Sequence, residues 1–188
     1  KMSSVEFHKF RENIKNINDY TDQKEKIFDN FIDQGLPNKR NESWKYFDLV
    51  SKSKKYIKND ISNSEIIVED LEEKNIFYDY ADNNLSIEDY FKPCNFFKSE
   101  SVVDLNVACG NQIKILDVKH TQNEPITIKI DHNGQNISLP RLIINIADNV
   151  KAKINYVNST TNGFLNLLVE YNIGNKSELE ISRINSSQ

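Results

Sequence analysis

Apolar residues recur at three- and four-residue intervals through the first part of the chain. Phe7, Phe10, Ile14 and Ile17 mark one face of a helix, which Asn18 and Asp19 interrupt. A second helix is expected from about Asp22, where Asp22 and Glu25 have the spacing of a capping box. Ile27, Phe28, Phe31 and Ile32 form its apolar stripe, and Gly35 followed by Leu36-Pro37 reads as its stop. Together these segments predict a helical hairpin.

Residues 51–93 carry a weaker pattern. Ile66-Ile67-Val68 predicts a short strand, and Ile76, Tyr78 and Tyr80 alternate as another would. Ser86 to Phe91 has a capping serine, early acids and an apolar end, which predicts a short helix that Pro93 stops.

Beyond about residue 99 helical spacing fades and period two takes over. Ile113–Val118 reads as a strand. Ile126, Ile128 and Ile130 alternate with polar residues, as do Leu142, Ile144 and Ile146, and then Ala152, Ile154 and Tyr156. Leu165, Leu167, Val169, Tyr171 and Ile173 form the longest alternation, and Leu179 and Ile181 begin another. These are half-buried strands, joined by Asp-Asn, Thr-Asn-Gly and Gly-Asn-Lys turns. Short strands at near-even spacing fit a sandwich, a barrel or a stacked β-solenoid, and no strict repeat separates the three. The last pattern, SELEISRINSSQ, carries neither a capping helix nor a closing strand. A sheet edge there needs cover, expected from further chain in a longer protein or from a second chain.

Composition narrows the class. The 188 residues are 38% hydrophobic and 28% charged, enough apolar material for a soluble core. The length fits one ordinary domain, or a small domain joined to the start of a larger one. A net charge of −4 argues against nucleic acid, which needs a concentrated basic face. Lys52, Lys54, Lys55 and Lys58 are the nearest thing to one. Asp60, Glu65, Glu69 and Asp70 follow, so these lysines are expected on a solvated surface. No apolar run reaches the ~20 residues needed to cross a bilayer, and KMSSVEFHKF lacks the apolar core of a secretory signal. Cys94 and Cys109 form no disulfide framework, which points to a reducing compartment.

Candidate chemistry is sparse. His8, His120 and His132 lie far apart, and neither cysteine sits in a CxxC pair. Folding could bring Cys109 to His120, but structural zinc normally shows tight ligand spacing, so no metal site is expected. No GxSxG elbow occurs, and five glycines scattered singly make no phosphate loop. Glu178 and Glu180 share the outward face of a strand, opposite Leu179 and Ile181, and are expected to be solvated. His120 is expected in a solvated loop. Arg141 directly follows Pro140 at a strand start, where paired hydrogen bonds from its guanidinium could hold a neighbouring turn or a carboxylate.

The stretch GLPNKRNESWKYFDL, residues 35–49, holds the only Trp of the chain. Gly35, Leu36 and Pro37, a basic residue at Lys39 or Arg40, then Glu42, Trp44, Lys45 and Tyr46 resemble the N-terminal signature of the SufB/SufD family of the SUF iron–sulfur cluster assembly machinery, and within it the SufD type. DLNVACGNQIKI, with Leu105 and Asn106, is similar to the family's LN-x-A segment and the strand after it. Pro125-Ile126 resembles its next step, and Pro140-Arg141 before Leu142-Ile143-Ile144 resembles its PR-plus-strand segment. Asn155-Tyr156-Val157 departs from the acidic residue that relatives often carry.

The resemblance implies a mixed α+β fold. A helical or mixed domain over 1–98 would precede the first turns of a right-handed parallel β-helix over 99–188, incomplete at its C-terminal end. It implies a scaffold subunit, not an enzyme, that works with a SufB-like β-helix subunit and a SufC-like ABC-type ATPase, or as a homodimer, with no nucleic acid or membrane partner. The iron–sulfur cluster would be assembled transiently by the full complex, with no cofactor held by this chain. The signature residues are expected to be structural, with Trp44, Tyr46 and Phe47 closing the helical hairpin against the next part of the chain. The compartment implied is the cytoplasm, or a plastid-type organelle. Two other readings stand beside it: a β-solenoid enzyme acting on polysaccharide, which would need clustered acids on one exposed face, and a metal-independent adaptor.

Overall fold

The computed structural model describes residues 4–15, 20–38, 40, 48–82, 85–97 and 100–185. The Glu42, Trp44, Lys45 and Tyr46 part of the signature, with Phe47, lies outside them. Among the described residues the chain is mixed α/β, with five α-helices, two four-stranded sheets and a two-stranded one.

The helical hairpin forms as the spacing of its described residues predicts, while Ile17, Asn18 and Asp19 lie outside them. A 3-10 turn, Ser4–Phe10, runs into α1 (Arg11–Lys15), and Phe7, Phe10 and Ile14 are buried against Phe28 and Phe31 of α2 (Thr21–Gln34). The rings of Phe7 and Phe31 meet edge to face at 4.9 Å. The expected Asp22–Glu25 capping box does not form. α2 starts one residue earlier, and its N-cap is Tyr20, left-handed at φ 59 and without a side-chain cap. Tertiary contacts hold that unusual conformation: the Tyr20 ring packs on Tyr90 at 5.3 Å, and its hydroxyl donates to Leu85 O at 3.0 Å. The stop is as read. Gly35 takes φ 69, where an L side chain would be strained, and its N–H donates to Phe31 O at 2.7 Å.

Two helices escape the sequence pattern. α3 (Leu49–Ile57) buries only Ser53 and Ile57, with Leu49 and Val50 partly covered, so its apolar stripe is thin and lysines crowd it. Asp48 caps it by accepting from Ser51 N at 3.0 Å. α5 (Ser101–Cys109) lies beyond residue 99, where alternation was expected to take over. It is buried at Ser101 and continuously from Asp104 to Cys109. A helix covered on nearly every side shows no polar face, so its period is invisible.

β1 (Glu65–Glu69) and β2 (Ile76–Asp79) form as expected, although Tyr80 leaves the strand for a 3-10 turn. α4 (Ile87–Phe96) begins at the predicted serine cap, with Asp89 N donating to Ser86 Oγ at 3.1 Å. Pro93 does not stop it; the helix runs through the proline to Phe96.

The remaining strands are β3 (Gln112–Val118), β4 (Ile126–Asn133), β5 (Ile137–Ser138), β6 (Pro140–Ile146), β7 (Lys151–Thr161), β8 (Phe164–Leu165), β9 (Leu168–Ile173) and β10 (Glu178–Asn185). One sheet runs β1-β4-β7-β10, the second β2-β3-β6-β9, and the small one β5-β8. All pairings among β3 to β10 are parallel, and partners stand 28 or 27 residues apart, as Asp117, Asn145 and Asn172 do. The long alternation from Leu165 to Ile173 is not one strand. It splits into β8 and β9, which belong to different sheets, and between them Asn166 Nδ2 donates to Val102 O of α5.

The main core lies between the two large sheets, with Leu116, Ile126, Ile128, Leu142, Ile144 and Ile154 fully buried. β3 and β6 are covered on both faces, since Ile113, Ile115 and Ile143 pack in a further cluster with Tyr90 and Val107. The two ends of the stack differ. β1 and β2 close one end by antiparallel pairing and carry Glu65, Glu69 and Asp79. At the other end β8, β9 and β10 are each paired on one side only among the described residues, and Ile173, Ile181 and Ile184 are exposed. No helix is long and apolar enough, among the described residues, to cross a membrane.

Candidate functional site

Arg141 is the second residue of β6 and points its guanidinium at α4. It is 2% exposed, and its donors are used in three directions. Nε pairs with Glu170 of β9 at 2.5 Å, Nη1 donates to Tyr90 O at 2.7 Å, and Nη2 donates to Asp89 O at 3.0 Å. The expected pinning of a carboxylate is thus present, and two helix carbonyls are added to it. Asp89 O is the acceptor that residue 93 would normally serve through its N–H, and residue 93 is a proline. The guanidinium supplies the missing donor, which explains why Pro93 does not end α4.

Cations and rings crowd the same place. The Arg141 guanidinium lies over the Tyr90 ring at 5.2 Å, and Nζ of Lys24, a residue 1% exposed, lies over it at 4.7 Å. Beside them Cys94 of α4 meets Asp104 of α5. Burial pushes the Cys94 thiol up to about 12, with Asp104 adding to the shift. Burial also raises the Asp104 carboxyl to about 6, although its hydrogen bond with Cys94 works in the opposite direction. Burial raises the Cys109 thiol well above its ordinary range. Neither thiol is set up as a nucleophile or ready ligand near neutrality.

Two pieces of the signature meet here. Asn106 Nδ2 donates to Pro140 O at 3.0 Å and to Asn166 O at 2.8 Å, so one α5 side chain ties down two successive turns of the strand stack. Close approach accompanies these bonds: a Cβ on Gly110 would lie 2.5 Å from both Asn106 O and Leu139 O, so the backbone crossing there requires glycine. Leu105, Leu36 and the Gly35 turn belong to the helical core instead, and Pro37 is buried beside them in sequence. The cluster at Arg141 joins helices to strands, and Glu170 matches the charge of its guanidinium.

The other candidates are dispersed. Glu178 and Glu180 are exposed, as expected, and each faces a lysine: Lys151 at 2.9 Å and Lys153 at 3.0 Å. His120 lies exposed in its loop, where its backbone N–H donates to Asn75 Oδ1 at 3.0 Å. His132 is buried, with Nε2 2.8 Å from Asn136 O, and His8 is exposed. Cys109 lies in the helical core, away from the His120 loop. No group of three or more His, Cys, Asp or Glu side chains among the described residues could hold a metal ion.

A polar ladder that the sequence pattern does not reveal crosses the β2-β3-β6-β9 sheet. Asn145 Nδ2 donates to Asp117 Oδ1 and Asn172 Nδ2 to Asn145 Oδ1, both at 2.8 Å. Tyr78 closes one end on Asp117 at 3.1 Å, and Lys92 of α4 closes the other on Asn172 at 2.9 Å. The only signal for it is the spacing of Asp117, Asn145 and Asn172, which becomes meaningful once the strand register is known.

No family model matches the chain, and neither a curated protein nor a solved structure matches it.

Proposed function

We propose that the chain is the scaffold part of a SufD-type subunit in an iron–sulfur cluster assembly complex, built as a helical domain followed by turns of a right-handed parallel β-helix. The observation that carries this reading is the meeting of Asn106 with Pro140. Two segments picked out by their resemblance to one family, 34 residues apart, bond directly through a buried side chain. The parallel strand partners 28 and 27 residues apart support the β-helix part.

In this reading the protein is not itself an enzyme. Its rigid stack presents strand edges at β8, β9 and β10 to whatever pairs with them, and backbone hydrogen bonds supply much of the affinity. The partners are a SufB-like β-helix subunit and a SufC-like ABC-type ATPase, in the cytoplasm or a plastid-type organelle. The cluster is cargo of the whole complex. The polysaccharide-enzyme reading has less support, since Glu178 and Glu180 are each engaged by a lysine.

Affinity purification of the full-length protein from its own cells tests the proposal. Co-purification of an ABC-type ATPase with a second β-helix subunit is the expected result. A monomer that cleaves sugar polymers would overturn it.

A further inference from the structure

The stretch 64–79 joins the rest of the chain differently from the strands it caps. β1 and β2 pair antiparallel to β4 and β3, whereas every pairing among β3 to β10 is parallel. Ile66, at 9% exposure, is the one buried apolar side chain that β1, β2 and the turn between them supply among the described residues. Val68, Leu71 and Phe77 are partly covered, and Ile67 and Ile76 are exposed. β6, by contrast, is buried at every position except Asn145.

Side-chain amides hold this stretch in place. Gln112 of β3 meets both backbone groups of Ser64: Ser64 N donates to its Oε1 at 2.9 Å, and its Nε2 donates to Ser64 O at 2.6 Å. Asn75, in the turn, accepts from Lys119 N at 2.9 Å and from His120 N at 3.0 Å, and its Nδ2 donates to His120 O at 3.3 Å. Gln122 completes the clasp. Its Nε2 donates to Asp70 O at 2.8 Å, and its Oε1 accepts from Glu72 N and Asn75 Nδ2, both at 3.1 Å. Asn75 and Gln122 are each 5% exposed, so these bonds are shielded from water. The ion pairs Lys114–Asp79 and Lys129–Glu69 add little, because their carboxylates are exposed. Beyond both ends the chain is anchored independently: Ser62 N donates to Ile137 O at 2.8 Å, and the Tyr80 ring packs on Tyr90 at 6.1 Å.

We propose that residues 64–79 form a strap that opens as one unit while the rest of the stack stays folded, and that its opening uncovers the β3 and β4 edges. Little apolar burial resists opening, so the shielded amide bonds at Ser64, Asn75 and Gln122 set the strap's stability. Asn75 and the Gln122 acceptors lie in the turn that joins β1 to β2, so breaking this clasp frees both strands together. The proposal stands apart from the iron–sulfur reading, because it concerns only the end of the stack that β1 and β2 close.

Native-state hydrogen exchange of the full-length protein, read by mass spectrometry at rising urea below the unfolding transition, tests it. Peptides from β1 and β2 should exchange together, and well before those from β6 and β7. Gln122→Ala should speed exchange in β1 and β2 by about tenfold or more and leave β6 and β7 unchanged. In the natural protein alone, exchange of β1 and β2 only with global unfolding, or at unrelated rates, would overturn the proposal. So would a Gln122→Ala protein that exchanges no faster at the strap, exchanges faster throughout, or fails to fold. In each of those cases the clasp would not belong to a separately opening unit.

Discussion

Arg141 Nη2 donates to the carbonyl of Asp89 at 3.0 Å, and that carbonyl is the one Pro93 cannot reach for want of an N–H. A proline inside a helix costs about 3 kcal/mol when the freed carbonyl is left without a donor. Here a charged donor from a strand 52 residues away in sequence meets it. Sequence reasoning reads Pro93 as a stop because the compensating group is supplied only by folding.

Arg141→Ala should be strongly destabilising, by about 3 kcal/mol, because it leaves Glu170 and the Asp89 carbonyl without a partner in a nearly closed site and takes a second donor from Tyr90 O. Arg141→Lys keeps the charge but not the fork, and should recover only part of that loss. Urea unfolding of the three proteins checks the order.

Pro93→Ala restores an N–H that can serve Asp89 O. Its effect should be more favourable in the Arg141→Ala background than in the natural one, with a coupling on the order of 1 kcal/mol in a double-mutant cycle. Additive effects would show that the guanidinium does not replace the missing donor.

Asp104 introduces a pH dependence whose sign is set by its raised carboxyl. Its folded value, about 6, lies above the ordinary 3.8, so its contribution is most favourable below the ordinary value and is lost as pH rises through about 6. The stability of Asp104→Asn relative to the natural protein should therefore increase between pH 4 and pH 7, and level off above. Melting curves of both proteins across that range check it; a constant difference would count against a raised carboxyl.

Cys94 and Cys109 should resist alkylation at pH 7.5 in the folded protein, and both should react readily once it is unfolded in urea. Burial holds both thiols protonated, Cys94 up to about 12. Mass spectrometry after a short iodoacetamide pulse reads this directly.

Asn145→Ala should cost about 1–3 kcal/mol, because Asp117 Oδ1 and the Asn172 amide each lose a partner in a half-buried ladder. Asn145→Asp should be worse, since it sets a second carboxylate beside Asp117. Chemical denaturation separates the two.

Local patterns by themselves determined much of the skeleton. The Phe7–Ile14 face, the Phe28–Phe31 stripe, the Gly35 stop, the Ser86 cap and most inward strand positions from Ile113 to Leu179 are legible because water exposure alternates with a regular period. Tertiary structure decided the rest. α5 is invisible because burial all around removes its polar face, and α3 because lysines crowd a thin stripe. The alternation from Leu165 to Ile173 cannot reveal its own break, since the bonds that hold Asn166 between β8 and β9, to Val102 and from Asn106, come from α5. The Asp117–Asn145–Asn172 ladder depends on strand register, which brings residues 28 or 27 apart into contact, and the Arg141 cluster joins residues 29, 51 and 52 apart. Periodicity records which way a side chain faces, and only folding decides what it meets there.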